Sequence, residues 1–246
     1  MRLSKRLEAV AALVTSRGVL ADIGTDHGYV PIALAESGRI KRAIAMDVRQ
    51  GPLSRARKNI AAAGLADCIE TRLSDGLTAL SPGEASAIVI AGMGGELMRR
   101  ILSAGEAVCG QADELILQPQ SDIARVREYL RLRGYRIDAE AMVWDGKYYP
   151  MLRAVHTPEA DGVRGEEEEM ALLGDLYGPL LLRDKNPLLF SFLEKEGEEL
   201  ARILESLDGQ PESEKAKERR GQVRVRLSYN EKAKELCRAA NANIHN

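Results

Sequence analysis

The stretch Asp22-Ile23-Gly24-Thr25-Asp26-His27-Gly28 decides how the rest of this sequence is read. It closes a short apolar run, Val19-Leu20-Ala21-Asp22-Ile23, and leads directly into residues 29–37, whose pattern is helical. A strand that ends in a glycine-bearing turn and passes straight into a helix opens a βαβ unit. Glycine lets the backbone turn tightly and lets a ligand approach it, and the helix N-terminus behind the turn favours an anionic group. Taken alone, the same turn also reads as strand-to-helix packing with no ligand.

Downstream, the alternation persists. Strands are expected at 42–48, 69–74, 87–91 and 114–118, and helices at 51–63, 95–103 and 122–133, with Gly38, Gly64 and Gly134 placed as helix C-caps. This predicts a parallel, doubly wound α/β sheet. The rhythm changes at 136–143 and 148–156, two strand-like runs joined by Trp144-Asp145-Gly146-Lys147. No helix fits between them, and the Asp-Gly pair predicts an antiparallel hairpin. Upstream, Leu3, Leu7, Val10, Leu13 and Val14 give an amphipathic helix rather than a secretory signal.

Loop composition at 158–164 separates this region from a helical tail that opens at Glu166–Glu169. In the tail, Leu173, Leu176, Leu180 and Leu181 form one apolar stripe, and Phe190, Leu193, Leu200, Ile203, Leu204 and Leu207 a second, near heptad spacing. Asp208-Gly209-Gln210-Pro211 breaks the chain before a third helix at about 212–238. The expected domains are therefore 1–160, α/β, and 161–246, an α-helical hairpin or small coiled coil.

Composition excludes several classes of protein. Of 246 residues, 45% are hydrophobic and 29% charged, and no window approaches the roughly 20 apolar residues of a membrane span, so no membrane partner is expected. Cys68, Cys109 and Cys237 are scattered, and His27, His156 and His245 lack ligand spacing, so the sequence predicts no metal and fits a reducing cytoplasm. A net charge of −2 gives no overall case for nucleic acid, which must rest on local patches. Residues 214–238 carry nine Lys and Arg against four Glu, and Arg125, Arg127, Arg131 and Arg133 are expected to share a basic helix face. Either stretch also reads as a solvated helical surface. The pattern specifies no oligomeric state.

The residues that carry chemistry fall at the carboxyl ends of the expected strands. Asp47, with Val48 beside it, ends the second strand, where a carboxylate can accept hydrogen bonds from both ribose hydroxyls. It also suits the N-cap of the following helix. In Ser74-Asp75-Gly76-Leu77, Asp75 beside Gly76 suits an exocyclic amine of a nucleobase or, equally, a capped turn. Ala91-Gly92-Met93-Gly94-Gly95-Glu96 ends the fourth strand, and such glycine density fits a ligand pressed on the backbone. Leu117-Gln118-Pro119-Gln120 opens on the same crevice unless Pro119 ends the strand there. His27 is better suited to shape or hydrogen bonding than to general-base work, and Tyr29 suits either stacking on a base or packing its own helix.

The turn at 22–28 resembles the D-x-G-x-G-x-G cofactor loop of class I methyltransferases, with Asp26 in the place of the middle glycine. Taken in order, DIGTDHGYVPIAL, AIAMDVRQGPL, SDGL, IVIAGMGG and LILQPQ resemble the bacterial tRNA (adenine-22-N1)-methyltransferase family, and Tyr177-Gly178-Pro179-Leu180-Leu181 extends the likeness into the tail. The resemblance implies a Rossmann-like sheet with a terminal antiparallel hairpin. It also implies S-adenosyl-L-methionine as cofactor, and tRNA as partner, methylated on adenine N1 in the D-arm region. Asp22, Gly24, Asp26, His27, Gly28, Asp47, Val48, Asp75, Gly76, Ala91 and Gly92 would hold the cofactor, and Gly92, Met93, Gly94 and Tyr29 would face the reacting base. Asp47 stands where the family commonly has glutamate, and Ser74 where it commonly has glycine; neither change removes a needed group.

Three other readings are open at this level. A dehydrogenase would share the glycine turn and the acid but show G-x-G-x-x-G and no terminal hairpin. A methyltransferase for another RNA base, or a non-catalytic RNA-binding protein with a vestigial cofactor site, would share every motif.

Overall fold

The computed structural model describes residues 3–157, 168–209 and 213–238. The expected loop at 158–164, residues 210–212 of the expected chain break, and His245 lie outside the described residues. The chain divides into two compact units, Met1–Glu166 and Glu167–Asn246.

In the first unit, β1 (Val19–Ile23), β2 (Arg42–Asp47), β3 (Ile69–Leu73), β4 (Ala87–Gly94), β5 (Glu114–Ser121), β6 (Tyr135–Trp144) and β7 (Tyr148–His156) form one sheet in the order β3-β2-β1-β4-β5-β7-β6. Strands β1 to β5 pair in parallel, while β7 runs antiparallel to both β5 and β6. The antiparallel hairpin is the one expected from the Asp-Gly turn, and a dehydrogenase sheet would not contain it. Because β7 reverses twice, β6 runs in the same direction as β5, so the 145–147 turn emerges at the carboxyl edge of the sheet.

Both faces are covered, as nearly continuous apolar strands require. On one face, Met98, Ile101 and Leu102 of α4 (Gly95–Ala104), Val108 and Cys109 of α5 (Glu106–Cys109), and Val126 and Leu130 of α6 (Ile123–Leu132) pack on Ile88, Ile90, Leu115 and Leu117. On the other, Val10 of α1 (Lys5–Leu13), Val30, Ile32 and Leu34 of α2 (Tyr29–Glu36), and Ala56 and Ile60 of α3 (Gln50–Ala62) pack on Leu20, Ala45, Val89 and Ile116. Gly38, Gly64 and Gly134 take positive φ (66°, 69° and 74°) just after helices, as the C-cap reading requires. The strand order reverses direction between β1 and β4, and in such sheets the crevice for a ligand lies outside the carboxyl ends at that point.

Two expectations fail locally. Pro119 does not end β5, which continues to Ser121 through an irregular register opposite Met93 and Gly94, where the ladder has no need of a proline N–H. Arg127 does not join a basic face of α6: it is buried and donates to Glu140 of β6 at 2.9 Å, an ion pair 1% and 0% exposed.

The second unit contains α7 (Glu168–Tyr177), α8 (Pro179–Arg183), α9 (Pro187–Asp208) and α10 (Glu214–Arg238). The first expected stripe is two helices, not one, because Gly178 takes φ 99° and Pro179 opens α8. Asn186 caps α9 by accepting from the N–H groups of Leu188 and Leu189. Asn230, fully buried, donates from α10 to the Leu193 carbonyl and to Glu196, fixing the register of α9 against α10.

Candidate active site

The site is assembled by four strand ends. After β1, the N–H groups of Gly24 and Thr25 donate to the Met46 carbonyl at 2.8 and 2.9 Å, which ties the turn to β2. Gly24, Asp26 and Gly28 have φ of 74°, 36° and 72°. A left-handed residue at 26 explains why a glycine suits that position of the motif, and aspartate is among the few other residues that tolerate it. Arg55 compensates the exposed Asp26 carboxylate at 2.9 Å, and His27 Nε2 lies 3.5 Å from it. The His27 ring stacks on Tyr29, with centroids 5.0 Å apart and planes 9° apart.

Asp22 is buried and accepts a hydrogen bond from Thr25 Oγ1 at 2.6 Å. Burial pushes its carboxyl up to about 6; the Thr25 hydrogen bond pulls it down in part, and the charge of Asp47 adds to the rise. Asp47, 7% exposed at the end of β2, accepts from the Arg49 N–H through Oδ1 at 2.8 Å. Arg49, not Asp47, occupies the N-cap position of α3. In the next loop Ser74 organises the turn, donating to the Gly76 carbonyl and accepting from the Ala79 N–H. Asp75 is thereby left with no side-chain hydrogen bond among the described residues.

At the end of β4, Gly92 has φ 80° and donates its N–H to Gln118 Oε1 at 3.2 Å. Gln118 is fully buried; the same Oε1 accepts from Arg6 Nη1 of α1 at 2.9 Å, and its Nε2 donates to the Pro119 carbonyl. The Met93 side chain lies over Gly24.

These groups enclose a cleft of about 670 Å³. Every expected site residue lines it except Gly28 and Gly94. A side chain on Gly28 would point at Ala56, Ile32 and Ile60 at ordinary contact distances and away from the cleft, so what this position asks of glycine is its φ of 72°. A side chain on Gly94 would point at Ser121 Oγ, 3.3 Å away, not into the cleft, and one on Gly95 would strike the Ser121 and Asp122 carbonyls at 2.6 and 2.8 Å. Much of the glycine run therefore admits the end of β5, and only Gly92 of the three faces the ligand space. Sequence reasoning missed Arg6 and Leu7 of α1 and Leu97 and Ile101 of α4, which nothing in a local pattern marks, and it placed Gln118 at the crevice without its role as a buried bracket. Gln120, by contrast, lines the cleft as its place in the fifth strand end suggested.

The donor set fits a nucleoside with an amino-acid tail. Asp47 offers a buried carboxylate to the cleft, an acceptor of the kind ribose hydroxyls need. Val48 and Leu97, unusually exposed for their type at 59% and 40%, line the cleft together with Ile101, Asp75 and Gly76. The Gly24 turn lines the cleft, with the Met93 side chain packed where a side chain on Gly24 would begin. No group of His, Cys, Asp and Glu among the described residues could hold a metal ion, and no described helix is long and apolar enough to cross a membrane.

On α10, the basic stretch is partly neutralised within its own unit: Arg226 pairs with Glu196 at 2.7 Å, Arg220 with Asp208 at 3.6 Å, Lys234 with Glu231 at 2.6 Å, and Lys232 with Glu169. Lys215, Lys217, Arg219, Arg224 and Arg238 remain exposed without an acidic partner among the described residues, Arg219 bonding Gln222 and Arg238 lying over the Phe190 ring.

Comparison with known proteins agrees with this geometry. Residues 3–152 match the family described as a methyltransferase domain. The tRNA (adenine(22)-N(1))-methyltransferase of Bacillus subtilis is 34% identical over 92% of this chain and 94% of its own length. The crystal structure of the B. subtilis M1A22 tRNA methyltransferase TrmK superposes with a TM-score of 0.85 at 32% identity, covering 95% of this chain and 99% of that one. A Streptococcus pneumoniae protein solved in complex with S-adenosyl-L-methionine gives 0.81 at 33% identity, covering 95% and 100%. With the likeness running through both units and a cleft built for a nucleoside, the chain belongs to the tRNA (adenine(22)-N(1))-methyltransferase family.

Proposed function

We propose that this protein transfers a methyl group from S-adenosyl-L-methionine to N1 of adenine 22 in tRNA, in the cytoplasm, with residues 1–160 as the catalytic domain and 161–246 as a helical domain that aids RNA binding. The observation that carries the reading is the cleft at the carboxyl ends of β1 to β4. It is lined by the buried Asp47 carboxylate, the apolar Val48, Leu97 and Ile101 and the glycine turn at 24, groups that suit a ribose, a purine and an amino-acid tail.

The cofactor supplies an electrophilic methyl on a sulfonium. For the rest, the chain binds and orients. In this reading Asp47 accepts from the ribose hydroxyls, while Val48, Leu97 and Ile101 exclude water from the purine faces. The backbone at Gly24 approaches the methionine end. Adenine N1 is unprotonated at neutral pH and already carries the attacking lone pair, so no base need act before transfer, and alignment of the flipped base dominates. The stacked pair His27–Tyr29 and the Gly92 backbone border the space for that base. Methylation leaves the ring cationic, and the neutral Gln120 carboxamide beside Gly92 is suited to accept from the adenine N6 amine as that charge develops.

The test is transfer of labelled methyl to a tRNA transcript carrying adenine at position 22 and to one carrying guanine there, followed by nucleoside analysis. N1-methyladenosine in the first transcript alone is expected. Label on another base, or none in either, would overturn the reading.

A further inference from the structure

Several cations in the first unit are compensated. Arg55 pairs with Asp26, Arg72 with Glu84, Arg133 with Glu106 and Arg153 with Asp138, each at 3.0 Å or less. Arg6 and Lys147 differ: neither has a carboxylate within salt-bridge distance among the described residues. Both rest instead on one aromatic ring, the Arg6 guanidinium carbon 5.7 Å and the Lys147 Nζ 5.0 Å from the centroid of Tyr149.

The chain brings them together from far apart. Arg6 sits in the first turn of α1, where the fully buried Gln118 holds its Nη1 at 2.9 Å. That hydrogen bond sets the guanidinium beside Gly92, with Nη1 3.5 Å from where a side chain there would begin. Lys147 is exposed in the hairpin turn, which emerges at the same carboxyl edge of the sheet as the cleft. Two cations thus rest on one ring, and one of them, Arg6, lines the cleft.

We propose that Arg6 and Lys147, seated on Tyr149, form a clip for one phosphate of the RNA backbone next to the target adenosine. The assignment rests on the methyl-transfer reading for its substrate. Chemistry favours the phosphate over the base: methylation leaves the adenine ring positive, and two uncompensated cations touching it would oppose that charge. A phosphate beside a flipped nucleotide instead presents an anion at the rim of the pocket, and positioning contacts to RNA fall mainly on the backbone. Gln118 thereby acquires a second role, holding the Gly92 N–H and the clip in one register.

The test uses the full chain and a fluorescently labelled tRNA transcript, with affinity measured between about 50 and 200 mM salt, where phosphate contacts show their salt dependence. Lys147→Ala is expected to weaken binding about tenfold, the effect of losing one charged hydrogen bond. It should lower the salt slope by about 0.7 to 0.9, the contribution of one phosphate. S-adenosyl-L-methionine affinity, read by calorimetry, should stay at the wild-type value, and Lys147→Arg should bind RNA normally. Arg6→Gln should show the same change of slope, and the double variant no larger one, since both groups serve one phosphate. Unchanged RNA affinity and slope in Lys147→Ala overturn the clip, as do additive slopes in the double variant. Should Arg6→Gln prove unstable, the exposed Lys147 alone decides. If the wild-type chain methylates no tRNA but Lys147→Ala still loses RNA affinity and slope, the methylation reading falls and the clip stands.

Discussion

The methyl group of Met93 lies where a side chain on Gly24 would begin: a Cβ built on Gly24 would stand 2.3 Å from Met93 Cε. Two loops from adjacent strand ends thus meet in close van der Waals packing. Gly24→Ala would force Met93 toward the cleft and place alanine at φ 74°, a strain of about 1 to 2 kcal/mol. The expected result is a folded protein that binds S-adenosyl-L-methionine at least ~10-fold more weakly, which is ~1.4 kcal/mol. Adding Met93→Ala should restore the steric part and leave the backbone part. Calorimetry on the single and double variants checks this, and wild-type affinity in Gly24→Ala would refute the role of this packing.

Asp22 makes stability depend on pH in a direction opposite to that of most carboxylates. Burial raises its folded pKa from 3.8 to about 6, so between these values the folded state holds a proton that the unfolded state has released. The penalty is absent well below pH 4, grows as pH rises, and is complete above 6, where it is on the order of 3 kcal/mol. Asp22→Asn keeps an acceptor for Thr25 and removes this penalty. The stability of Asp22→Asn relative to wild type, from urea unfolding without cofactor, should increase from pH 4 to 6 and stay level above 6. A difference independent of pH would show that Asp22 is not the buried acid described.

Asp47 separates cofactor affinity from stability. Asp47→Asn retains an oxygen for the Arg49 N–H, so the loop should keep its shape while the charged acceptor for ribose is lost. The expected loss in affinity is roughly 10- to 150-fold, equivalent to about 1.5 to 3 kcal/mol for hydrogen bonds to a charged group. Calorimetry giving wild-type affinity in a folded variant would remove the ribose assignment.

The parts of this site that obey local rules are legible in the sequence. Apolar runs of five or six residues, glycines at helix ends, the turn at 22–28 and Asp47 after the second strand are all short-range patterns, and each appears in the structure where its period places it. What stays hidden depends on residues far apart in the chain. Arg6 meets Gln118 across 112 positions, and no spacing rule connects a residue of an N-terminal helix to the fifth strand. Arg127 looks like one member of a basic face because its partner, Glu140, comes from a strand beyond the next turn. Gly94 and Gly95 mislead for a related reason: a glycine that admits a neighbouring backbone and one that admits a ligand look the same until the neighbour is in place.

Gln118 tests that hidden part directly. Gln118→Met preserves much of the volume but leaves the Gly92 N–H and the Pro119 carbonyl without their partner and releases Arg6. Leaving the buried Pro119 carbonyl unpaired costs about 1 to 3 kcal/mol, so the melting temperature should fall by several degrees. Turnover with tRNA should fall further than stability explains, because the Gly92 backbone and the Arg6 guanidinium lose their common anchor. The check is methyl transfer measured well below the variant's melting temperature. Full turnover there would reduce Gln118 to a purely structural residue.

The last prediction concerns the division of labour between the two units. The hydrophobic clusters on both faces of the sheet are drawn wholly from residues 3–154, so a truncation ending at residue 160 retains its own core and is expected to fold. All the residues lining the cleft are also retained, so S-adenosyl-L-methionine should bind with wild-type affinity. Removed with the helices are Lys215, Lys217, Arg219, Arg224 and Arg238, which are exposed and have no acidic partner among the described residues, unlike Arg226, Arg220 and Lys232. If those five cations meet tRNA phosphates, the truncation should bind tRNA more weakly and with a flatter salt dependence, the slope falling by about 0.7 to 0.9 for each phosphate no longer neutralised. Replacing the five with alanine in the full chain should reproduce the change in slope while leaving the helices folded, which separates loss of charge from loss of the unit. Circular dichroism comes first, to establish that the truncation is native. A native truncation that methylates tRNA at the full rate with an unchanged slope would place RNA recognition wholly in the first unit, at the rim formed by Arg6, Tyr149 and Lys147.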